Sequence, residues 1–379
     1  MSNSIHIIFA GGGTGGHLFP GIAVAAELLH REPNARVTFC GSGRDWEREQ
    51  VARAGYDYLA HTAAPLVGSP MGVLRAICAN GVGYRRARRT VIQHRPQVVV
   101  GLGGYGSVPI GLAAARLGVP LVLLEQNLIP GRANALLSRW ATLVCLAFEV
   151  DANRLRSGVR AVVTGNPVRS SILELAAAAD AQPPADRTGR PTLLVFGGSQ
   201  GAHSVNRVVA QSLPRIAEHM TGWRVIHQAG AKDGEWLRDA YVAAGVSADI
   251  RPFIHDMADA YAQASLAICR AGATTLAELA TVGVPAILLP YPLAASNHQW
   301  HNAQFFGRAG AAVVIEDRPD TAHVTATLTS SLLPLIKLPA LRDEMRRATR
   351  QLARPTAASI IVDELLTLAG AAAGSLQSA

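Results

Sequence analysis

Three glycine-rich turns stand out, because glycine at a turn lets the backbone approach a bound phosphate closely. They span residues 11–16 (GGGTGG), 101–107 (GLGGYGS) and 197–202 (GGSQGA), and each follows a short apolar run. When a helix follows such a turn, its first N–H groups form a site suited to a diphosphate. One turn alone is weak support, since tight packing also selects glycine. Three turns at equivalent places favour a protein that binds diphosphates.

Two other classes of nucleotide site fit the sequence poorly. No lysine of the P-loop type follows any of the three turns. Gly41 stands at the end of the second predicted strand, where a dinucleotide-binding fold carries an acid for the ribose. The sequence therefore disfavours both a P-loop NTPase and an NAD-dependent enzyme.

Two side chains near these turns have the chemistry of a proton acceptor. His17 closes the first turn at the start of a helix, whose positive end favours the neutral imidazole that a general base requires. Its competing interpretation is a packed or merely exposed histidine. Glu125 is the second candidate base, and a structural carboxylate that supports its loop is the competing interpretation. No Asp-x-Asp pair lies in a suitable loop, so no metal is expected.

The elements that must position these residues are apolar strands alternating with helices. The apolar runs predict strands at residues 5–10, 36–40, 97–100 and 120–124, and again at 192–196, 223–227, 249–252, 266–269 and 285–289. Helices are predicted between the strands, among them about 21–30, 204–216 and 356–369. This alternation is typical of a parallel sheet covered on both faces. The predicted fold class is α/β, with two Rossmann-like, doubly wound halves that bind ligands beyond the carboxyl ends of their strands.

Length and composition agree with two folded domains. The 379 residues are 49% hydrophobic and 16% charged, which excludes a disordered chain. A polar, proline-containing stretch at 181–191 reads as a surface loop near a boundary. We expect an N-terminal domain over 1–165, a C-terminal domain over 166–352, and a helix within 353–379 that folds back on the N-terminal domain. The four cysteines are widely separated, which disfavours a disulfide scaffold or a structural zinc site.

The charge distribution points to an anionic partner. The net charge is +8, and residues 58–124 contain seven arginines and no acid. A segment whose charges are all positive is suited to binding acidic lipid or nucleic acid. Nucleic acid is disfavoured, because no recognition motif is present. The chain begins without the pattern of a signal peptide and contains no long uninterrupted apolar run, so a soluble cytoplasmic protein is expected.

Read together, six segments resemble one family. GGGTGGHLFP, GLGGYGS, EQN, GNPVR, GGSQGA and RAGATTLAELATVGVPAILLPYP with NHQWHNA occur in the order found in the MurG family of bacterial UDP-N-acetylglucosamine (UDP-GlcNAc) transferases. The resemblance runs from about residue 5 to about residue 365. It implies a GT-B fold, in which two Rossmann-like domains face each other across a cleft. It also implies an inverting transfer that needs neither metal nor cofactor.

The resemblance implies both substrates. The donor is UDP-GlcNAc, and the acceptor is the 4-hydroxyl of MurNAc in lipid I, undecaprenyl-diphospho-MurNAc-pentapeptide. The products are lipid II and UDP, in peptidoglycan synthesis. The expected location is peripheral, on the cytoplasmic face of the bacterial inner membrane. Wall-synthesis or divisome proteins stay open as further partners.

The same resemblance carries site residues onto this sequence. The acceptor diphosphate is implied to lie on Thr14, Gly15, Gly16, Gly103, Gly104 and Tyr105. Ser199 meets the UDP phosphates, Arg169 offsets charge on the leaving UDP, and Glu278 takes both ribose hydroxyls. The backbone of Ile254 reads the uracil edge. The GlcNAc hydroxyls and a further donor turn are assigned to Asn127, His298 and Gln299, and to Ala273, Thr274, Thr275 and Leu276.

Several of these residues have ordinary alternatives. The less favoured alternatives are an exposed helix acid for Glu278, a surface ion pair for Arg169 and a turn residue for Asn127. The sequence also departs from the family pattern twice. Ser296 stands where many relatives carry an acid, and Leu124 where many carry histidine.

A membrane surface is the expected site of work, because the acceptor is a lipid. The apolar side chains assigned to it are flanked by Arg75, Arg85, Arg86, Arg88 and Arg89. The apolar set is Leu66, Val67, Met71, Val73, Leu74, Ile77 and Tyr84. The competing interpretation is an amphipathic helix that packs on the sheet and leaves a solvated basic face.

Two other functions stay open at this point. One is another GT-B enzyme that uses UDP-GlcNAc, such as a non-hydrolysing epimerase or a glycolipid synthase. An epimerase needs neither a lipid acceptor nor a membrane patch. The other is a non-catalytic protein that binds nucleotide sugars, which the presence of His17 with the donor residues disfavours.

Overall fold

The computed structural model describes residues 4–64, 70–149, 154–155, 158–181, 190–198 and 201–377, with backbone alone at 70–78, 180–181 and 373–377. The chain forms two compact units. Unit 1 comprises residues 1–169 together with 354–379, and unit 2 comprises residues 170–353.

Each unit is built on one parallel sheet. The described strands are β1 (His6–Gly11), β2 (Arg36–Gly41), β3 (Asp57–Ala60), β4 (Val98–Gly103), β5 (Leu121–Glu125), β6 (Leu143–Leu146), β7 (Ala161–Val163), β8 (Thr192–Phe196), β9 (Arg224–Gln228), β10 (Ala248–Arg251), β11 (Leu266–Cys269), β12 (Ala286–Leu288) and β13 (Ala312–Val314). The strand order is 3-2-1-4-5-6-7 in unit 1 and 10-9-8-11-12-13 in unit 2. The predicted fold class, two Rossmann-like parallel sheets, is confirmed.

Helices connect the strands and cover the sheets. The described helices are α1 (Gly15–Arg31), α2 (Asp45–Arg53), α3 (Pro70–His94), α4 (Val108–Arg116), α5 (Arg132–Leu137), α6 (Ser170–Ala181), α7 (His203–Ile216), α8 (Gly234–Ala243), α9 (Met257–Gln263), α10 (Ala273–Val282), α11 (His298–Arg308), α12 (Thr321–Lys337), α13 (Pro339–Gln351) and α14 (Ala357–Gln377). Because both sheet faces are covered, the central strands consist mostly of apolar residues. Residues Ile7 to Ala10 of β1, for example, are fully buried.

The strand order places a switch point in each sheet. In unit 1 the order reverses between β1 and its neighbour β4, and in unit 2 between β8 and its neighbour β11. Connections from the two strands leave to opposite faces there, which opens a crevice at their carboxyl ends. Loops that follow these four strands are therefore the places where a ligand is expected.

The first helix begins earlier than the sequence pattern predicted. The apolar pattern placed its start near residue 21, whereas α1 begins at Gly15 with Thr14 as an extended N-cap residue. Leu18 is buried and anchors the first turn. Pro20 lies inside the helix, within its second turn. The early start brings the first N–H groups of α1 to the end of β1.

Three edge strands and one inner strand were not predicted. β3, β7 and β13 lie at sheet edges, and each has three or four residues. Short edge strands bury little surface, so their hydrophobic signal is weak. β6 is buried but has only four residues.

The C-terminal helix packs on unit 1. Ile361, Val362 and Leu365 of α14 join the apolar cluster that contains Leu28 of α1. Arg160 donates to both carboxylate oxygens of Glu364 over 2.6 and 2.7 Å. These contacts explain why residues 354–379 belong to unit 1 although they follow unit 2 in the chain.

Candidate functional site

The first two glycine turns meet at the switch point of unit 1. The first follows β1 and the second follows β4. A Cβ added to Gly11 would lie 2.5 Å from the carbonyl oxygen of Gly103, and the φ angles of these residues are +120° and +96°. Both the contact and the backbone angles require glycine. The two loops therefore form one surface at the carboxyl ends of neighbouring strands.

His17 lies against the second loop. Its Cδ2 would be 3.0 Å from a Cβ at Gly103, and its Nδ1 is 3.2 Å from Oγ1 of Thr14. The histidine is half-buried. Gly15 and Gly16 are the first two residues of α1 and form the positive end of that helix. The structure thus brings Thr14, His17 and Gly103 together.

Glu125 is a buried carboxylate whose two oxygens are engaged by its own loop. Oε1 accepts from the backbone N–H and the side-chain amide of Asn127 over 3.0 and 3.3 Å. Oε2 accepts from the Gly131 N–H and the Asn134 side-chain amide, both over 2.9 Å. Burial raises the pKa of Glu125. These contacts favour the loop-supporting interpretation of Glu125 and explain the turn at Asn127.

Asn134 was missed by the sequence analysis. It is buried on α5, and its amide nitrogen also donates to the carbonyl of Leu124 over 2.8 Å. A Cβ at Gly103 would lie 3.6 Å from that nitrogen, so Asn134 connects the Glu125 loop to the second glycine loop. A lone asparagine in a helix carries no motif, and no local signal marked it.

Arg44 was also missed. It is exposed, and it donates from Nη1 to the carbonyl of Gly13 and from Nη2 to the hydroxyl of Tyr105, both over 2.9 Å. It follows β2, the strand beside β1. That neighbourhood was the available signal, because parallel strands bring their following loops to one edge of the sheet.

Glu47 supports the loops that follow β1 and β2 from the interior of unit 1. It is fully buried, and its oxygens accept from the N–H and hydroxyl of Ser42 over 2.9 and 2.8 Å and from the Tyr58 hydroxyl over 2.6 Å. Burial, with the hydrogen bond to Glu47, raises the pKa of Tyr58, so its phenol stays a donor. A Cβ at Gly12 would lie 3.4 Å from this carboxylate.

Arg169, which the resemblance assigned to the nucleotide, is the last residue of the first segment of unit 1. Its guanidinium carbon lies 4.8 Å from the ring centroid of Phe19 on α1. This stacking orients the side chain through a cation–π contact. The structure therefore places Arg169 beside the helix that carries His17.

The residues that the resemblance assigned to the donor lie mostly on loops and helices that follow the strands of unit 2. Ser199 lies outside the described residues. α10 follows β11 and begins at Ala273, so Ala273, Thr274 and Thr275 form the first turn at the positive end of this helix. The Leu276 N–H, by contrast, donates to the carbonyl of Gly272 over 3.0 Å, and its side chain is fully buried. Leu276 therefore holds the turn rather than offering its amide.

Glu278 lies on α10 and is 4% exposed, which does not fit an ordinary surface acid. Its Oε2 accepts from the Tyr261 hydroxyl over 3.1 Å. Tyr261 is on α9 and is itself buried. Ile254, on the loop before α9, is buried as well, so only its backbone suits contact with a base.

The segment before α11 has unusual backbone angles. Ser296 and Asn297 have φ angles of +52° and +53°, a region that non-glycine residues adopt rarely. Gln299 accepts from the Tyr291 N–H over 2.9 Å through Oε1. Burial lowers the pKa of His298, which therefore favours its neutral form.

Arg270 connects several loops at the carboxyl ends of the unit 2 strands, and the sequence analysis did not single it out. It is 8% exposed and pairs with Asp317 over 2.7 Å. It also donates to the Leu289 carbonyl over 2.8 Å and to the Ser204 hydroxyl over 2.6 Å. These bonds fix the loops after β11, β12 and β13 and the start of α7 against one another.

The basic helix α3 is described only in part. Leu66 and Val67 lie outside the described residues, as do the side chains of Met71, Val73, Leu74, Arg75 and Ile77. In the described half, Ala87 and Val91 pack against the sheet, while Arg85, Arg86, Arg88 and Arg89 are exposed. No single helix among the described residues has the length and hydropathy to cross a bilayer; α12 and α13 pass that test only jointly, and they are bent by 101°.

Comparison with known proteins covers both units. Residues 7–146 match the model of the glycosyltransferase family 28 N-terminal domain, and residues 192–360 match that of its C-terminal domain. A Pelobacter propionicus protein named UDP-N-acetylglucosamine–N-acetylmuramyl-(pentapeptide) pyrophosphoryl-undecaprenol N-acetylglucosamine transferase is 40% identical, over 95% of this chain and 99% of its own.

Solved structures agree with this match. Acinetobacter baumannii MurG is 31% identical with a TM-score of 0.73, over 96% of this chain and 99% of its own. UDP-GlcNAc 2-epimerase from Neisseria meningitidis has a TM-score of 0.68 over 96% of this chain and 100% of its own, but is only 15% identical. The second likeness extends to the fold alone.

Proposed function

Since this chain belongs to glycosyltransferase family 28, and within it to the MurG family of N-acetylglucosamine transferases, we propose that it moves GlcNAc from UDP-GlcNAc to the 4-hydroxyl of MurNAc in lipid I. The products are lipid II and UDP, and the reaction serves peptidoglycan synthesis. The observation that carries the proposal is the match of almost the whole chain, including all four loops at the switch points, to a transferase of that name.

Unit 2 takes the donor in this proposal. The N-terminal amides of α10 face the phosphates, where a helix end favours negative charge. Glu278, oriented by Tyr261, accepts from the two ribose hydroxyls. Ile254 offers its backbone to uracil, and His298 and Gln299 contact the sugar. Ser199, Asn127 and Arg169 keep the roles that the resemblance implies.

Unit 1 takes the acceptor. Its diphosphate lies on the two joined glycine loops, which offer the amides of Gly15, Gly16, Gly103 and Gly104 and the hydroxyls of Thr14 and Tyr105. The proposal draws support from the contact between Gly11 and Gly103, because this contact makes one surface out of two loops. His17, at the edge of that surface, is the proposed base.

The chemistry is a single displacement at the anomeric carbon. The 4-hydroxyl oxygen of MurNAc bonds to C1 of GlcNAc on the face opposite UDP, while the bond from C1 to the β-phosphate oxygen breaks and its electron pair leaves with UDP. His17 takes the hydroxyl proton. When its Nδ1–H donates to Thr14, the lone pair lies on Nε2, which then serves as the base. Glu125 is left to hold the loop, since both of its oxygens are engaged.

The lipid acceptor also requires the enzyme to visit a membrane. The exposed arginines of α3 supply the positive charge for an anionic surface, on the cytoplasmic face where the donor is made available. Vesicle flotation tests this part separately. Replacing Arg85, Arg88 and Arg89 by glutamine is expected to weaken binding to anionic vesicles and to leave UDP binding unchanged. Equal binding of both proteins would contradict a role for this helix.

The transfer itself is tested with radiolabelled UDP-GlcNAc and a short-chain lipid I analogue in the presence of EDTA. Label is expected in the lipid product, and His17→Ala is expected to reduce kcat by about a hundredfold or more. His30→Ala is the matched control, because His30 is exposed at the far end of the same helix. Conversion of UDP-GlcNAc to its 2-epimer without transfer to lipid would overturn the proposal.

A further inference from the structure

Arg44 connects the two acceptor loops of unit 1. One of its terminal nitrogens donates to the carbonyl of Gly13 in the first loop, and the other donates to the hydroxyl of Tyr105 in the second. Its guanidinium carbon also lies 5.9 Å from the centroid of the Tyr105 ring. The positive group is therefore held at the junction of two loops that belong to different strands.

The positive charge of Arg44 is not paired with a carboxylate in the described part of the chain. Among the described residues, no carboxylate oxygen lies within ion-pair distance of its guanidinium. The nearby Glu47 is buried, and it accepts from Ser42 and Tyr58 instead. An arginine has five N–H donors, and the two bonds described above use two of them. An exposed guanidinium with donors to spare is suited to an anion that reaches it from solvent.

Tyr105 extends the same arrangement. Its oxygen accepts from Arg44, so its own O–H remains a donor, and a phenol that accepts from a cation becomes a stronger donor. The positive-φ backbone of Gly103 and Gly104 beside it permits close approach. Guanidinium, phenol and loop amides thus converge at one place.

We propose that Arg44 binds the diphosphate of the lipid acceptor directly, together with the hydroxyl of Tyr105. The inference rests on the proposed function for the identity of the acceptor, but the anion-binding chemistry is that of any isoprenyl diphosphate. Arg44 holds the two loops together through Gly13 and Tyr105, and its remaining N–H groups donate to phosphate oxygens.

The test measures diphosphate binding without requiring turnover. The full chain is saturated with UDP to fill the donor site and is titrated with farnesyl diphosphate by calorimetry. We expect Arg44→Ala to weaken binding about tenfold or more and Arg44→Lys to recover part of that loss, because a charge-assisted bond is replaced by a point charge. Arg53→Ala is the matched control. Arg53 is exposed in the last turn of α2, where it pairs with Glu49, and its substitution is expected to change binding less than twofold.

Kinetics and a second variant separate direct binding from a purely structural bridge. Arg44→Ala is expected to raise the KM of the lipid I analogue and to leave the KM of UDP-GlcNAc unchanged. Tyr105→Phe removes the bridge but keeps the cation, so it is expected to cost less than Arg44→Ala. Equal losses of farnesyl diphosphate affinity in Arg44→Ala and Tyr105→Phe, with no recovery in Arg44→Lys, would overturn direct binding. So would an unchanged affinity in Arg44→Ala, or the absence of any affinity in the wild type. Arg44-dependent binding by a protein that transfers nothing would overturn the proposed function alone.

Discussion

Gly11 and Gly103 approach each other so closely that a Cβ on Gly11 would stand 2.5 Å from the Gly103 carbonyl oxygen. The two residues end neighbouring strands, β1 and β4, and begin the first two glycine loops. No other residue type fits Gly11, because its φ of +120° and the space around it both exclude a side chain. The spacing between the loops is therefore set by backbone packing against backbone.

Gly11→Ala is expected to force these strand ends apart. We predict a loss of about 1–3 kcal/mol in the free energy of unfolding, from overpacking and backbone strain, and a higher KM for the lipid I analogue. Urea unfolding and steady-state kinetics measure the two effects. Gly81→Ala is the control, since Gly81 lies in helix α3 with open space around its Cα. That variant should be as stable as the wild type or slightly more stable.

Glu125→Gln distinguishes a loop support from a base. A glutamine amide would place N–H groups against donors from Asn127 or from Gly131 and Asn134, so we expect the variant to lose about 1–3 kcal/mol of stability. We also expect a lower kcat at every pH, with the shape of the pH–rate profile kept. His17→Ala should instead remove the acidic limb of that profile. A Glu125→Gln enzyme that is fully stable but lacks this limb would return Glu125 to the role of base.

The proposed contact between Glu278 and the ribose can be tested by a thermodynamic cycle that combines a protein substitution with a change of ligand. Wild type and Glu278→Ala are compared by calorimetry with UDP and with 2′-deoxy-UDP. If the carboxylate accepts from the 2′-hydroxyl, the deoxy ligand should lose about tenfold in affinity for the wild type and much less for the variant. Tyr261→Phe removes the hydrogen bond that orients this carboxylate, and a loss of about threefold for UDP is expected. If the affinity losses from Glu278→Ala and from removal of the 2′-hydroxyl are additive, a direct contact between them is ruled out.

His227 gives unit 2 a predictable dependence on pH. It is fully buried between Tyr241 and Asn206, and burial lowers its pKa to about 3. Because the folded pKa lies below the unfolded value of about 6.5, the neutral histidine stabilises the fold above about pH 6.5, and this contribution is lost as the pH falls toward 3. The slope is about 1.4 kcal/mol per pH unit.

The comparison of His227→Gln with the wild type measures this contribution. The variant should be less stable at pH 7.5, and the difference should shrink by about 2 kcal/mol by pH 5, because glutamine does not titrate. His30→Gln serves as the control for the substitution itself, since His30 is exposed on the surface of unit 1. A constant difference for His227→Gln would mean that the buried ring does not resist protonation.

Much of the architecture followed from local sequence pattern. The apolar runs at 192–196 and 266–269 gave strands with those bounds, because a strand buried on both faces must be apolar throughout. Glycine turns after such strands marked both switch points, since only glycine permits the backbone angles and close contacts found there. The family followed from the order of these turns with the motifs of the second half.

The tertiary structure decided which side chains meet at those turns. No motif marks Arg44, Glu47 or Asn134. They reach the first two glycine loops only because the strand order places the loops after β2 and β5 beside those after β1 and β4. Glu125 has partners on its own loop and on α5, up to nine residues further along the chain, and they become donors to its carboxylate only when the turn is folded. Local periodicity reports burial, whereas contacts across neighbouring strands depend on pairing that no single segment encodes.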